Sequence, residues 1–385
     1  MTRINLDHYA GTPLLPEVKQ AMGAALEESG NPSSIHQTGQ RAKRLLEQAR
    51  KQIAALINAK PSEISFTSCG TESNNWALRG LLVANKRKGQ HLIISAIEHP
   101  SVTLAAKRLA LEGAELTILP VDREGVVSPG ALKAALKPQT VLVSIMLANG
   151  EVGTLEPIRE LAAIAHEHGA LFHTDAVAAA GHALIDVKSL GVDALSFAAN
   201  QFYGPPGAAG LFVRESVRIL PLLEGGGQEH GGRSGTESLP AIVGIGVAAE
   251  IAKRDLPERM ERLGRLRDRL RDGLQQRVEH VRLNGSWSSR LPHNLHVCID
   301  GLASESLVLG LDHAGISAGL GSACNSKAMR PSHVLQAMGL SDEEAKGALV
   351  LTIGAPTTED DIDRALELIP AAVQRLRNVT ALTSR

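Results

Sequence analysis

Nothing in this chain supplies a surplus of charge. Its 385 residues carry 40 lysines and arginines against 41 aspartates and glutamates, a formal net charge of -1, so nucleic acid and anionic membranes are not the expected main partners. Long apolar runs are missing too. No segment is long and apolar enough to span a bilayer, and no basic start followed by an apolar stretch marks a secretory leader, which makes the cytoplasm the expected location. Cysteine is scarce. Cys69, Cys298 and Cys324 are too few and too scattered for a disulfide framework or a closed four-cysteine zinc site, so free thiols are expected. Internal repeats and low-complexity tracts are absent, short of the last few residues.

What is there is enough for a large core. A hydrophobic content of 43% over this length suits two domains. Short apolar runs alternate with longer helical stretches, the pattern of a mostly parallel sheet covered on both faces. The runs at 64–67, 92–95, 116–119, 141–147, 171–174, 194–197 and 210–213 read as its seven strands. A stretch rich in arginine, leucine and glutamate at 256–276 reads as a long amphipathic helix leading into a second domain. Beyond it, 293–299 and 349–353 read as strands, and 305–312, 332–337 and 359–375 as helices. The expected architecture is an α/β domain over 14–255 and a smaller α+β domain made of 1–13 and 256–385.

In open parallel sheets, ligands gather at the carboxyl ends of the strands. Gly70-Thr71 follows one strand and opens a helix, so its amides and the Thr71 hydroxyl can cradle an anion; a plain helix N-cap at Thr71 is the alternative. Asp175 ends another strand, and His99 lies in a loop after a third. Cys298 sits in the apolar run His296-Val297-Cys298-Ile299 and reads as core. Cys324 lies in the glycine-rich, polar stretch Gly319-Leu320-Gly321-Ser322-Ala323-Cys324-Asn325-Ser326-Lys327, which suits an exposed, mobile loop, and Lys327 has the sign that favours a thiolate. Cys69, before Gly70, reads as a small buried hydrophobe, with a functional thiol facing Cys324 as the alternative.

Several blocks together carry a resemblance. They are Leu6-Asp7-His8-Tyr9-Ala10-Gly11-Thr12-Pro13, Gly30-Asn31-Pro32-Ser33-Ser34-Ile35-His36, Phe66-Thr67-Ser68-Cys69-Gly70-Thr71-Glu72-Ser73-Asn74-Asn75, Glu98-His99, His173-Thr174-Asp175-Ala176, Gly225-Gly226-Gly227-Gln228-Glu229, Arg233-Ser234-Gly235-Thr236 and Gly321-Ser322-Ala323-Cys324. In this order and spacing the chain resembles the cysteine desulfurases of aminotransferase class V, dimeric fold type I enzymes that take sulfur from cysteine and pass it on as a persulfide. The resemblance implies that Asp175 pairs with the pyridine nitrogen of pyridoxal phosphate, that His99 stacks on its ring, that the Arg233–Thr236 loop reaches a partner subunit's site, and that Cys324 accepts sulfur.

It also implies a lysine where this chain has none. The cofactor's Schiff-base lysine corresponds to Gln201 in Ser196-Phe197-Ala198-Ala199-Asn200-Gln201, and an amide nitrogen is neither nucleophile nor base. The family's phosphate-binding serine and histidine correspond to Ala198 and Asn200, its ring-facing asparagine and glutamine to Gly150 and Ala178, and its substrate-carboxylate arginine to Ala355. Hydrogen bonds to charged groups contribute roughly 1.5 to 3 kcal/mol each, so losing two phosphate contacts weakens binding by about two to four orders of magnitude. The expectation is therefore a desulfurase-like homodimer without a covalent aldimine. In it, Cys324 acts as persulfide carrier or iron–sulfur cluster ligand toward a scaffold or other acceptor protein, with Thr71, His99, Asp175, Asn200, Gln201 and Thr236 lining what is left of the cofactor site. Cys69, His99 and Asp175 are candidate additional metal ligands. The alternatives are an enzyme using non-covalent pyridoxal phosphate or another ligand in the pocket, and a non-catalytic partner of an active desulfurase.

Overall fold

The computed structural model describes residues 3–321 and 331–383. In chain order its strands are β1 (Ile4–Leu6), β2 (Ile64–Thr67), β3 (His91–Ser95), β4 (Glu115–Leu119), β5 (Thr140–Ser144), β6 (Leu171–Asp175), β7 (Ala194–Ala198), β8 (Ala209–Val213), β9 (Val281–Asn284), β10 (Asn294–Ile299), β11 (Ile316–Ala318) and β12 (Ala348–Thr352). The central sheet has seven strands in the order β2-β8-β7-β6-β5-β3-β4. Only β8 runs against its neighbours; the others share one direction. All seven expected strands are present. Strands β3, β5 and β7 are buried at every position, which is why they read as unbroken apolar runs instead of alternating ones.

A second, antiparallel sheet joins β12, β10 and β9, and β1 pairs with β11. Helices Ser304–His313 and Glu359–Thr383 cover this smaller α+β part. The long helix begins earlier than its sequence suggests. It spans Leu239–Arg277, with Pro257 inside it. Its first half buries Ile242, Ile245 and Ala248 in the core of the large sheet, and its second half buries Leu263, Leu266, Leu270 and Leu274 in the core of the small one. Glycines and alanines in the first half hide its amphipathic period, so the sequence displays only the arginine-rich second half. No described helix is long and apolar enough to cross a membrane.

One buried ion pair fastens the glycine-rich segment to the sheet edge. Arg50 donates two hydrogen bonds to the Glu229 carboxylate, at 2.6 and 3.0 Å, and a third to the Ile64 carbonyl at 2.7 Å. The Phe66 amide donates to the same carboxylate at 2.9 Å. Glu229 holds φ at +47°, a left-handed conformation that these contacts compensate.

Candidate functional site

At the carboxyl edge of the central sheet the strand-end loops enclose a cavity of about 600 Å³. Cys69 comes from the loop after β2 and Gly70 and Thr71 from the first turn of the helix that follows, His99 from the loop after β3 and Ser101 from the helix it caps, Gly150 from beyond β5, Asp175 from the end of β6, and Asn200 and Gln201 from the turn after β7. The chain's start and the end of β11 with the residues after it close the other side through Tyr9, Ala318 and Leu320. This is where ligands bind in sheets of this kind. Most of the lining is apolar, with Met146, Ala148, Val177, Ala178 and Ala198 facing the space.

A hydrogen-bonded network crosses the cavity's floor. Asn74 Nδ2 donates to Asp175 Oδ2 at 2.7 Å and lies 2.9 Å from Ser101 Oγ. The Val177 amide donates to Asp175 Oδ1 at 2.9 Å. Ser101 in turn donates its amide to His99 Nδ1 at 3.1 Å, so the neutral imidazole carries its proton on Nε2. Burial pushes the Asp175 carboxyl above its ordinary range and the His99 imidazole below its own, each partly offset by the other's charge. Asn74 is 1% exposed, and its Oδ1 has no hydrogen-bond partner. Sequence reasoning did not single out Asn74 or Ser101. Asn74 stands three residues after Thr71 on one helix, a spacing that places both on one face, and that was the available signal.

Gln201 takes up a settled position where the resemblance calls for a lysine. It is 8% exposed and donates its amide to the Tyr9 carbonyl at 3.0 Å. His182 Nε2 lies 2.7 Å from the Gln201 carbonyl, which only accepts, so that ring's proton is on Nε2. Asn200 lines the cavity, and its carbonyl accepts from the Thr12 amide and hydroxyl, both at 2.9 Å. At Gly150 a Cβ would lie 2.1 Å from a ring carbon of Tyr9, so the tyrosine ring occupies the room an asparagine there would need. Ala355 does not line the cavity; its amide donates to the Tyr203 hydroxyl at 2.6 Å, and Arg262 donates to its carbonyl. No lysine or arginine lines the cavity among the described residues.

Other expected site residues fall differently. Helix Gly70–Ala84 is capped by Cys69, not Thr71, and no side chain bonds its first amides. Cys69 is exposed to the cavity, which overturns its reading as a buried hydrophobe; the extended backbone of the cap turns the thiol outward. Cys298 is buried, and burial raises its thiol pKa to about 11. Thr236 is exposed and is not among the residues lining this cavity. Cys69, His99 and Asp175 do not form a metal site: no group of three such side chains is placed to hold an ion among the described residues, because Asp175 and His99 are turned toward Asn74, Val177 and Ser101. Cys324 lies outside the described residues.

Residues 4–365 match the model of the aminotransferase class-V family. The chain belongs to that family. It is 46% identical over 383 residues, 99% of this chain and 95% of the relative, to a protein named cysteine desulfurase IscS from Methanosarcina thermophila. Among solved structures it is similar to a NifS-like protein, with a TM-score of 0.91 and 34% identity over 97% of this chain and all of the other. It is also similar to a protein named SspA, solved in complex with cysteine, with a TM-score of 0.81 and 32% identity over 91% and 99% of the two chains. The class-V fold is thus shared along essentially the whole length.

Pyridoxal phosphate, the cofactor this family implies, fits the cavity in part. Asp175 and Asn74 offer acceptors to a ring nitrogen, His99 stands beside them, and Thr71 with the uncapped start of its helix suits a phosphate. When bound, such a group supplies an electron sink at an amino acid's α-carbon.

Proposed function

We propose that this class-V protein handles sulfur without cleaving cysteine, and that Cys324 carries it as a persulfide or ligates an iron–sulfur cluster completed by an acceptor protein's cysteines. One observation carries the reading. Gln201 stands at the Schiff-base position with its amide committed to the Tyr9 carbonyl, so the residue that would attach the cofactor and move the substrate's proton is replaced by a group that does neither. The full-length likeness to proteins named cysteine desulfurase supports sulfur as the cargo. We expect a cytoplasmic homodimer, with the Arg233–Thr236 loop reaching the partner copy.

Two measurements test this. Borohydride treatment after loading with pyridoxal phosphate leaves no reduced adduct on a cavity residue by peptide mass spectrometry; an adduct there returns the chain to conventional chemistry. Alkylation labels Cys324 faster than Cys69 and Cys298, whereas equal and slow labelling of all three with and without iron and sulfide makes Cys324 a relic and favours a structural partner of an active desulfurase. Non-covalent pyridoxal phosphate is the second reading, favoured by the free acceptor on Asn74 beside Asp175; a visible absorption band lost on gel filtration identifies it.

A further inference from the structure

We propose that Cys69 is a second sulfur-accepting thiol and that its cavity binds an amino-acid persulfide, whose ammonium group donates to the Asn74 side-chain oxygen beside Asp175. This rests on the sulfur-handling reading above and adds a donor to it. Cys69 lines the cavity and is exposed to it, at the start of a 15-residue helix whose first amides no side chain caps, so an anionic group held by those amides lies beside the thiol. Glu72, in that first turn, is held by Ser68 and paired with Arg233, so its charge is spoken for.

The second observation is independent of the thiol. Asn74 Oδ1 is buried without a donor while Nδ2 is fully used by Ser101 and Asp175. A buried acceptor left open beside a carboxyl group recognises N–H donors on a cation. Asn74 follows Cys69 by five residues, about 7 Å along the helix axis, a span matching an amino acid whose side chain ends in a persulfide. With no arginine or lysine among the described lining residues, its α-carboxylate goes to the amides of Gly70 and Thr71.

The step needs no cofactor. The Cys69 thiolate attacks the outer sulfur of R–S–SH, a new S–S bond forms at Sγ, and the donor's S–S bond breaks. Its electron pair leaves on the inner sulfur as free cysteine thiolate, and the proton stays on the transferred sulfur. One S–S bond replaces another, so nothing is oxidised or reduced overall. A separate C–S-cleaving reaction on cysteine must supply the persulfide.

The test uses the full-length chain, L-cysteine hydropersulfide as probe, and alkylation with peptide mass spectrometry as readout. In the Cys324→Ser variant Cys69 gains one sulfur, faster than Cys298. The rate falls at least about tenfold with 3-mercaptopropionate hydropersulfide, which lacks the ammonium group, and by a similar factor in Asn74→Leu. Equal rates with the two probes on unmutated protein overturn the proposal even where Asn74→Leu does not fold. If Cys69 stays unlabelled while Cys324 takes up sulfur, the second thiol falls and the carrier reading stands. If only Cys69 is labelled, the carrier reading falls instead.

Discussion

Two buried polar clusters in this molecule are finished to different degrees. Around Glu229 each carboxylate oxygen has a donor, from Arg50 or from the Phe66 amide, and the Arg50 side chain is 2% exposed. Around Asp175, on the floor of the cavity, Asn74 keeps an acceptor with nothing to accept from. Buried polar groups are normally paired, and an open one costs about 1 to 3 kcal/mol. The closed cluster therefore serves the fold, and the open one keeps an acceptor beside the cavity.

Breaking the closed cluster should cost most. Arg50→Met leaves Glu229 buried and unpaired, and urea denaturation should show a loss of about 3 to 5 kcal/mol, while a charge-neutral double replacement of both residues recovers much of it. Acid should come next. Burial lowers the pKa values of His8 and His182 to about 4, below the ordinary value near 6.5 for an unfolded chain. Each then contributes stability that is complete above pH 6.5 and is lost as pH falls toward 4, roughly 3 kcal/mol per residue. His8→Leu should flatten the stability profile across that window by up to one proton.

The cavity offers gentler ways to sharpen the contrast. Gly150→Asn drives a side chain into the Tyr9 ring and should destabilise by about 1 to 3 kcal/mol, whereas adding Tyr9→Ser should relieve most of that loss in a double-mutant cycle. Gln201→Lys exchanges one hydrogen bond to the Tyr9 carbonyl and should cost about 1 kcal/mol. By itself it should leave sulfide release from cysteine at background, because Ala198, Gly150, Ala178 and Ala355 still lack polar side chains. Turnover in that single variant would make the lost lysine the whole difference.

Much of this was legible in the chain. The seven central strands were, most plainly β3, β5 and β7, because strands buried on both faces spell continuous apolar runs, and β8 hid its reversed direction because direction leaves no mark on composition. Loop motifs placed Thr71, His99, Asp175, Asn200 and Gln201 at one cavity because they follow strands that end on one edge. The exposure of Cys69 was not legible, since it depends on an extended cap residue, φ -165° and ψ 163°, that turns the thiol toward open space. Asn74 was missed for a related reason: its meaning lies in a bond to Asp175, 101 residues away. The filling of the Gly150 space by Tyr9 is likewise a contact between the chain's start and its middle, which no local pattern announces.

Helix Leu239–Arg277 has a mechanical consequence. Its 39 residues make a rod of about 58 Å with one end cast into each core, so a tilt of about 5° at one end carries the other about 5 Å. Cutting the chain at 255 would sever the rod and strand half its apolar face, so neither piece would make a clean fragment. Other links brace the same joint, among them Asn294, which donates to the Gly150 and Glu151 carbonyls, and Ala355, whose amide donates to the Tyr203 hydroxyl, so a lesion on the buried side of the rod reaches the cavity through a joint held at several points.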